Sequence, residues 1–149
     1  MCELAPLNLY SEFRRMKNTL LLQEVIDSVR EFHDSFKIPN ASAPQADLSE
    51  EDIMLRYRLM AEENDEYLEA AKAGDIVEIA DALGDQLYIL CGTILRHGMQ
   101  DVIEAVFKEI QASNMSKLGA DGKPIYREDG KVLKGPNYFK PDIKSAMEV

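Results

Sequence analysis

The feature that limits the possible folds most is the pair Gly74-Asp75, which separates two long segments with helical periodicity. Glycine ends helices because it readily adopts a left-handed conformation, and aspartate starts them by capping free amide groups. Apolar and acidic side chains recur at three- and four-residue spacing on both sides of this pair. The pattern predicts two antiparallel helices, one beginning after Ser49 and ending near Ala73 and the other spanning about 76–96.

Two further helices are predicted, one within 19–36 and one over about 101–114. Glycines and prolines crowd the segment after residue 115, where a helix cannot continue. Two short apolar segments, 125–127 and 131–133, flank Glu-Asp-Gly and predict a short β-hairpin. We therefore predict an all-α fold, a four-helix bundle with an irregular C-terminal tail. The domain is predicted over 19–149, with the tail from about residue 115, and residues 1–18 are predicted to be an N-terminal arm of unknown role.

Composition and cysteine usage predict a cytoplasmic protein. The hydrophobic fraction of 46% is enough to build a core. Apolar runs are far shorter than the roughly 20 residues that a membrane helix needs, and the first residues lack the order of a secretion signal. Cys2 and Cys91 have neither metal-binding nor disulfide spacing, which fits a reducing compartment. Cys91 lies in an apolar run and is expected in the core.

The charge distribution excludes one class of partner and leaves two interpretations open. The net charge of −10 argues against binding to nucleic acid, whose phosphates are neutralised by Lys and Arg. Residues 1–107 hold 9 basic and 21 acidic side chains, whereas residues 108–144 hold 8 basic and 5 acidic ones. This asymmetry indicates either an ordinary solvated surface or acids that hold cations together with a basic segment that meets an anionic ligand.

Acidic residues on both sides of the Gly74 turn form the most informative pattern. The first helix carries Glu62, Glu63 and Glu66, and the second carries Glu78, Asp81 and Asp85. Positions three or four apart share a helix face, so each helix presents at least one pair of carboxylates, and the two sets can face each other. The first set lies along an apolar stripe, where a lone carboxylate is costly.

On the second helix, over 76–96, the pattern of apolar and acidic residues supports two interpretations. Its main apolar stripe lies nearly opposite the acids, which alone favours a solvated acidic face. The acid stripe, however, continues into Ile89, Gly92 and Thr93, so we expect this side to meet protein too. We therefore favour a functional metal cluster. Neither a Glu-x-x-His pair nor a calcium-loop motif is present, and a carboxylate set suits Mg²⁺ or Mn²⁺, which activates water at phosphoryl centres.

These acids carry a resemblance to a known superfamily. Glu63-Asn-Asp-Glu66 and, eleven residues later, Glu78-Ile-Ala-Asp81 resemble the Glu-x-x-Glu…Glu-x-x-Asp signature of the MazG-like, all-α nucleotide pyrophosphohydrolases, which include phosphoribosyl-ATP pyrophosphohydrolases and dimeric dUTP pyrophosphatases. The similarity extends over about 29–143 and includes the segments 30–33, 74–85, 113–117 and 135–139.

The resemblance implies roles for individual residues. Glu63, Glu66, Glu78 and Asp81 are similar to metal ligands, and Glu62 to an acid that orients water or a further cation. Asn114 and Lys117 resemble nucleotide-contacting positions, although Lys117 could instead stabilise the helix C-terminus. Two further side chains have open or structural roles. Asp85 is either a ligand or an acid beside the ligands, and His33 is expected to be structural. Tyr138 and Phe139 are expected to attach the tail to the bundle, with a lid over the substrate base as the alternative.

The function implied is metal-dependent hydrolysis of a nucleoside triphosphate or related nucleotide between the α and β phosphates, giving a monophosphate and pyrophosphate. Phosphoribosyl-ATP is an alternative substrate. A rival from another class is a non-catalytic acidic helical interaction module. Near its C-terminal end, the helix over 76–96 carries apolar side chains on almost every side and therefore needs neighbours on every side. We therefore also predict a homodimer or homotetramer, in which a second chain covers part of this surface.

Overall fold

The computed structural model describes residues 21–148 and is helical. The described helices are α1 (Leu22–Ser35), α2 (Glu50–Ala73), α3 (Ile76–Arg96), α4 (Ile103–Met115) and α5 (Ile143–Met147). The all-α prediction is therefore confirmed, and α5 is an additional short helix that the periodicity did not reveal. None of the helices between residues 21 and 148 is long and apolar enough to cross a membrane.

The described chain divides into two compact units, one ending at Gly98 and the other beginning at Met99. The first contains α1, α2 and α3, and the second contains α4 and α5. The predicted N-terminal arm, residues 1–18, lies outside the described residues. The single domain over 19–149 stays a prediction.

The turn between α2 and α3 follows the local signals in the sequence. The Ser49 side chain accepts a hydrogen bond from the Asp52 amide at 3.1 Å, which caps α2. Gly74 ends α2 at φ 70°, a left-handed conformation that glycine adopts without strain. Asp75 Oδ1 then accepts hydrogen bonds from the amides of Val77 and Glu78 at 3.0 and 3.2 Å. These contacts fix the point at which α3 begins.

The core of the first unit lies where α3 packs against α1 and α2. Its buried apolar side chains come from all three helices: Ile26, Val29, Ala70, Ala82, Cys91, Ile94 and Leu95. Cys91 is a buried free cysteine, and burial raises the pKa of its thiol, which confirms its assignment to the core.

The side of α3 that packs is the reverse of what hydrophobicity alone suggests. Most of the main apolar stripe is open to solvent, since Ile76 is 73% exposed and Leu87 is 45% exposed. The continuation of the acid stripe is covered instead: Gly92 is buried against α1 and α2, and the other two residues of this segment are half-buried. The expectation that this side meets protein is thus confirmed for the segment that follows the acids, whereas the acids of α3 themselves are exposed. The apolar stripe is the face left without a neighbour among the described residues of the first unit.

A hydrogen-bonded histidine and a small residue hold α1 close to α3. Asn40 donates through its amide nitrogen to Asp34 at 3.2 Å, so its oxygen is free to accept from His33 Nδ1 at 2.7 Å. A Cβ atom on Gly92 would come within 3.0 Å of both His33 Nε2 and Arg56 Nη1. The close approach therefore favours glycine, because a side chain here would have to displace His33 or Arg56. The structural role expected for His33 is confirmed, since it is only 2% exposed.

An ion pair joins the far end of α3 to the start of α2. The guanidinium of Arg96, which is 7% exposed, donates to Asp52 Oδ2 at 2.5 Å and also to the carbonyl oxygen of Pro39. A buried charge needs such partners because its desolvation is costly. The pair therefore sets the register of α2 against α3 at the end opposite Gly74.

In the second unit, α4 packs against α5 and the tail is attached to α4 by hydrogen bonds. Ser113 Oγ donates to the carbonyl oxygen of Phe139 at 2.9 Å, and the Phe139 amide donates to Ser116 Oγ at 3.1 Å. The predicted attachment of the tail by this segment is confirmed for Phe139. At the predicted hairpin, the structure has a turn closed by a single antiparallel bridge between Tyr126 and Val132.

Candidate active site

The antiparallel packing of α2 and α3 brings their acidic residues together around Glu63. Partial burial is the largest cause of a raised pKa at Glu63, and nearby negative charges add to it. These charges, in decreasing order of effect, belong to Glu66, Asp85, Glu62 and Asp81. One carboxylate oxygen of Glu63, Oε2, is buried and has no hydrogen-bond partner within residues 21–148. A buried acceptor of this kind is costly unless something pairs with it.

One side chain of α3 holds the main chain of α2 at the same level. Gln86 Nε2 donates a hydrogen bond to the carbonyl oxygen of Glu63 at 3.3 Å. The carboxylate of Asp85, the residue before Gln86, is among the negative charges that raise the pKa of Glu63. Gln86 therefore fixes the helix register that brings Glu63 and Asp85 together.

Glu78 lies nearer to the α2–α3 turn than the acids around Glu63. Its charge is not among those that raise the pKa of Glu63. It lines a shallow pocket at the turn, together with Glu66, Glu69, Ala70, Ala73 and Asp75. Glu66 belongs to both groups, so the acids form a row along the α2–α3 groove with Glu66 in the middle.

The donor set in this groove fits a hard divalent cation, although the side chains do not form a closed coordination sphere. No three His, Cys, Asp or Glu side chains of the described chain converge as a ready-made metal site. The available ligands are carboxylate oxygens, which Mg²⁺ and Mn²⁺ prefer. The unpaired, buried Oε2 of Glu63 is an acceptor that a cation would satisfy. Glu62 is exposed beside it and is free to contact solvent.

Asn114 and Lys117 share a face at the end of α4, as their spacing predicts. Lys117 Nζ donates to Asn114 Oδ1 at 2.8 Å, so the ammonium group is held by the last helical turn. Both residues belong to the second unit. Their contact with a substrate phosphate stays a prediction.

The comparison with family models decides the family. The model for phosphoribosyl-ATP pyrophosphohydrolase matches residues 29–114, which is more than half of the chain. The chain belongs to the phosphoribosyl-ATP pyrophosphohydrolase family. This family lies within the MazG-like superfamily, so the resemblance seen in the sequence is confirmed. Comparison with curated protein sequences gives no match.

Membership of the phosphoribosyl-ATP pyrophosphohydrolase family makes the protein a hydrolase that acts on phosphoric anhydrides. The matched segment contains α2 and α3 completely and therefore all the acids around Glu63. It also includes Asn114 and ends there, so Lys117 lies just outside it.

Two half-buried side chains that the sequence does not single out lie where α2 and α3 pack, one beside the acids and the other about two turns away along α2. Nothing in the sequence points to Gln86, since an amide beside an acid carries no signal until the facing helix is known. Arg56 lies seven residues before Glu63 and therefore on the same side of α2, where burial and the charge of Arg96 lower its pKa. The seven-residue spacing is the signal that could have placed Arg56 in line with Glu63.

Proposed function

We propose that the protein hydrolyses a nucleoside triphosphate or related nucleotide between the α and β phosphates, with a divalent cation held in the α2–α3 groove. The observation that carries this proposal is the buried, unpaired Oε2 of Glu63 within a group of carboxylates. The like charges of Glu63 and its four acidic neighbours oppose folding, and a chain retains such a group where it binds something positive. Membership of a pyrophosphohydrolase family supports the same reaction class.

The groove offers more ligands than one ion needs, and we propose a role for each. Glu63, Glu66 and Asp81 would hold Mg²⁺ or Mn²⁺, and either Glu78 or Asp85 would complete the set. When bound, the ion supplies positive charge to phosphate oxygens and lowers the pKa of a coordinated water. Glu62 is exposed beside Glu63 and would accept the proton of the attacking water.

Asp85 is the better-supported candidate for the last ligand. The charge of Asp85 raises the pKa of Glu63 more than the charge of Asp81 does, whereas Glu78 lies at the turn. Glu78 and Glu66 would then hold a further cation together, or Glu78 would line the pocket at the turn without binding a metal ion. We keep both residues as proposed ligands, because single substitutions distinguish them.

Phosphoribosyl-ATP is a second candidate substrate, favoured by the family model itself. It would be cleaved at the same kind of phosphoric anhydride bond, so the carboxylates would have the same roles. The rival prediction of a non-catalytic interaction module is disfavoured by the family assignment.

We also propose that the active unit is a homodimer or homotetramer. The apolar face of α3 is formed by residues that are 45–73% exposed in the described chain: Ile76, Leu83, Leu87 and Leu90. A symmetric contact through this face would remove it from water, whereas the acids lie on another side of α3. Light scattering of the full chain tests this: a monomeric, fully active protein would contradict it.

The reaction is tested by identifying products. The full-length protein with Mg²⁺ or Mn²⁺ is incubated with the common nucleoside triphosphates and, separately, with phosphoribosyl-ATP. Phosphorus NMR is expected to show one pyrophosphate for each molecule cleaved, together with a nucleoside monophosphate or, from phosphoribosyl-ATP, phosphoribosyl-AMP. Release of orthophosphate would show cleavage of another bond, and the absence of any turnover would contradict the proposal.

A further inference from the structure

Aromatic side chains of α1 and α3 form an exposed cluster near the acids. The rings of Phe32 and Tyr88 meet edge to face, with centroids 5.7 Å apart and an interplanar angle of 84°. Phe36 lies against Phe32 at 4.3 Å with a tilt of 32°. We call these three residues the aromatic platform. Each of them is at least 38% exposed, although large aromatic rings usually contribute to a core or an interface.

The platform continues the acid stripe of α3. Tyr88 follows Asp85 by three residues and Asp81 by seven, so the three side chains share one face of the helix. At a rise of about 1.5 Å per residue, Tyr88 lies about 4.5 Å beyond Asp85 and about 10.5 Å beyond Asp81 along the axis. These two offsets cover the distance between the phosphates of a nucleotide and its base, which are separated by one sugar.

The cluster is neutral where its surroundings are acidic. Burial and the nearby carboxylate of Glu31 raise the pKa of Tyr88, so its phenol stays uncharged at neutral pH. A ligand that reaches from Asp85 to Tyr88 thus meets carboxylates at one end and uncharged rings at the other. A nucleotide has the matching chemistry, because its phosphates bind through cations and its base is a planar π system.

We propose that the aromatic platform binds the base of the substrate by stacking, while the phosphates lie at the acids of the α2–α3 groove. This inference rests on the proposed function, and it names Phe32 and Tyr88 as residues that determine affinity for the base. Stacking accepts any planar base, so the platform favours nucleotides over base-free anhydrides without selecting one base strongly.

Single substitutions test the platform by kinetics. Replacing Tyr88 or Phe32 with Ala is expected to raise KM for the nucleotide by about 5- to 150-fold, the effect of losing one base–aromatic stack. Tyr88→Phe keeps the ring and is expected to keep KM within about twofold of the wild-type value. The matched control is Tyr57→Ala, an exposed aromatic on another side of α2, which is expected to leave KM unchanged. Mn²⁺ affinity, measured by electron paramagnetic resonance, is expected to be the same in all variants.

Binding of a non-hydrolysable α,β-methylene nucleotide, measured by calorimetry, separates this inference from the proposed function. Binding that falls with Tyr88→Ala supports the platform even if no nucleotide is hydrolysed. Turnover by the wild type with unchanged KM in folded Tyr88→Ala and Phe32→Ala variants overturns the platform and leaves the proposed function intact. Wild-type protein that neither binds nor hydrolyses nucleotides overturns both. If light scattering shows that these variants dissociate the protein without a change in KM, the rings form a subunit interface and the inference is wrong.

Discussion

Gln86 on α3 donates a hydrogen bond to the main-chain carbonyl oxygen of Glu63 on α2 at 3.3 Å. The bond joins the two helices at the level where the negative charges of Asp85 and Asp81 raise the pKa of Glu63. The packed helix pair therefore holds repelling carboxylates at a fixed spacing. Such preorganisation is useful for binding a cation, because the ligands need not be assembled when the cation arrives.

Replacing Glu63 with Gln is expected to stabilise the protein in the presence of chelator. The substitution keeps the shape of the side chain but removes a partly buried negative charge from four neighbours, and we expect the melting temperature to rise by about 1–4 °C. Because the pKa of Glu63 is raised above the ordinary value of 4.5, its unfavourable contribution grows as the pH rises through the carboxylate range. The gain is therefore expected at pH 7 and not at pH 4.

Thermal melts followed by circular dichroism measure this effect. Asp65→Asn is the matched control, since it removes an exposed acid from another side of α2 and is expected to change the melting temperature by less than about 1 °C. A lower melting temperature for Glu63→Gln than for the wild type would show that Glu63 has a stabilising partner.

Asp85 and Glu78 are expected to differ in their effects on turnover. Asp85→Asn removes a charge that acts directly on Glu63, so we expect kcat to fall by about 100-fold or more, as for loss of a metal ligand. Glu78→Gln changes the pocket at the turn and is expected to have a smaller effect. Steady-state kinetics at saturating Mg²⁺ measure both. The opposite ranking would assign the ligand role to Glu78, as the four-acid motif implies.

The buried His33 is expected to make stability depend on pH below about 6.5. Burial lowers its pKa, and the cations Arg56 on α2 and Arg96 on α3 lower it further, against the opposing effects of Asn40 and Asp34. The unfolded chain then binds the proton more readily, so this contribution is complete above pH 6.5 and is lost as the pH falls below it. His33→Asn can keep the hydrogen bond to Asn40 and is expected to flatten the pH dependence.

Urea denaturation of the wild type and of His33→Asn between pH 5 and 8 measures the difference. Subtracting the two curves removes the titration of the carboxylates, including the opposite trend due to Glu63. Parallel curves for the two proteins would contradict the assignment of this pH dependence to His33.

Replacing Lys117 with Met is expected to raise KM for the nucleotide about 10-fold or more. The substitution removes an ammonium group and keeps most of the side-chain length, and a hydrogen bond to a charged group contributes about 1.5–3 kcal/mol. Mn²⁺ affinity should not change, because the acids remain. Lys108→Met, which alters an exposed lysine of α4, is the control. Unchanged kinetics with a lower melting temperature would mean that Lys117 serves only the hydrogen bond to Asn114 and the helix end.

The parts of the fold that sequence predicted well depend on local chemistry. Gly74 and Asp75 fix the end of α2 and the start of α3 through bonds within a few residues, so the turn could be predicted without knowing the rest of the chain. The short helix α5 cannot be predicted from the sequence, because five residues give no readable period. Its cap, the Asp142 side chain accepting from Ser145, is visible in the sequence only as a common residue pair.

The parts that sequence could not supply depend on how helices meet. The helical wheel of α3 shows an apolar face and an acidic face, but it does not say which face the rest of the chain covers. The structure covers the side of Gly92 and leaves Leu87 exposed. The charge of Asp85 raises the pKa of Glu63 more than that of Asp81 does, and this ranking likewise follows from the register between α2 and α3. Distant contacts such as the ion pair between Arg96 and Asp52 help to set this register.

The most direct test of the central claim is pyrophosphate release by the full-length protein after removal and return of the metal ion. We predict that chelator abolishes release from the best nucleotide substrate, that Mg²⁺ or Mn²⁺ restores it, and that Glu63→Gln stays inactive with either ion while Asp65→Asn responds like the wild type. Full activity in chelator, or full activity of Glu63→Gln, would contradict a metal-dependent site built on the acids of α2 and α3.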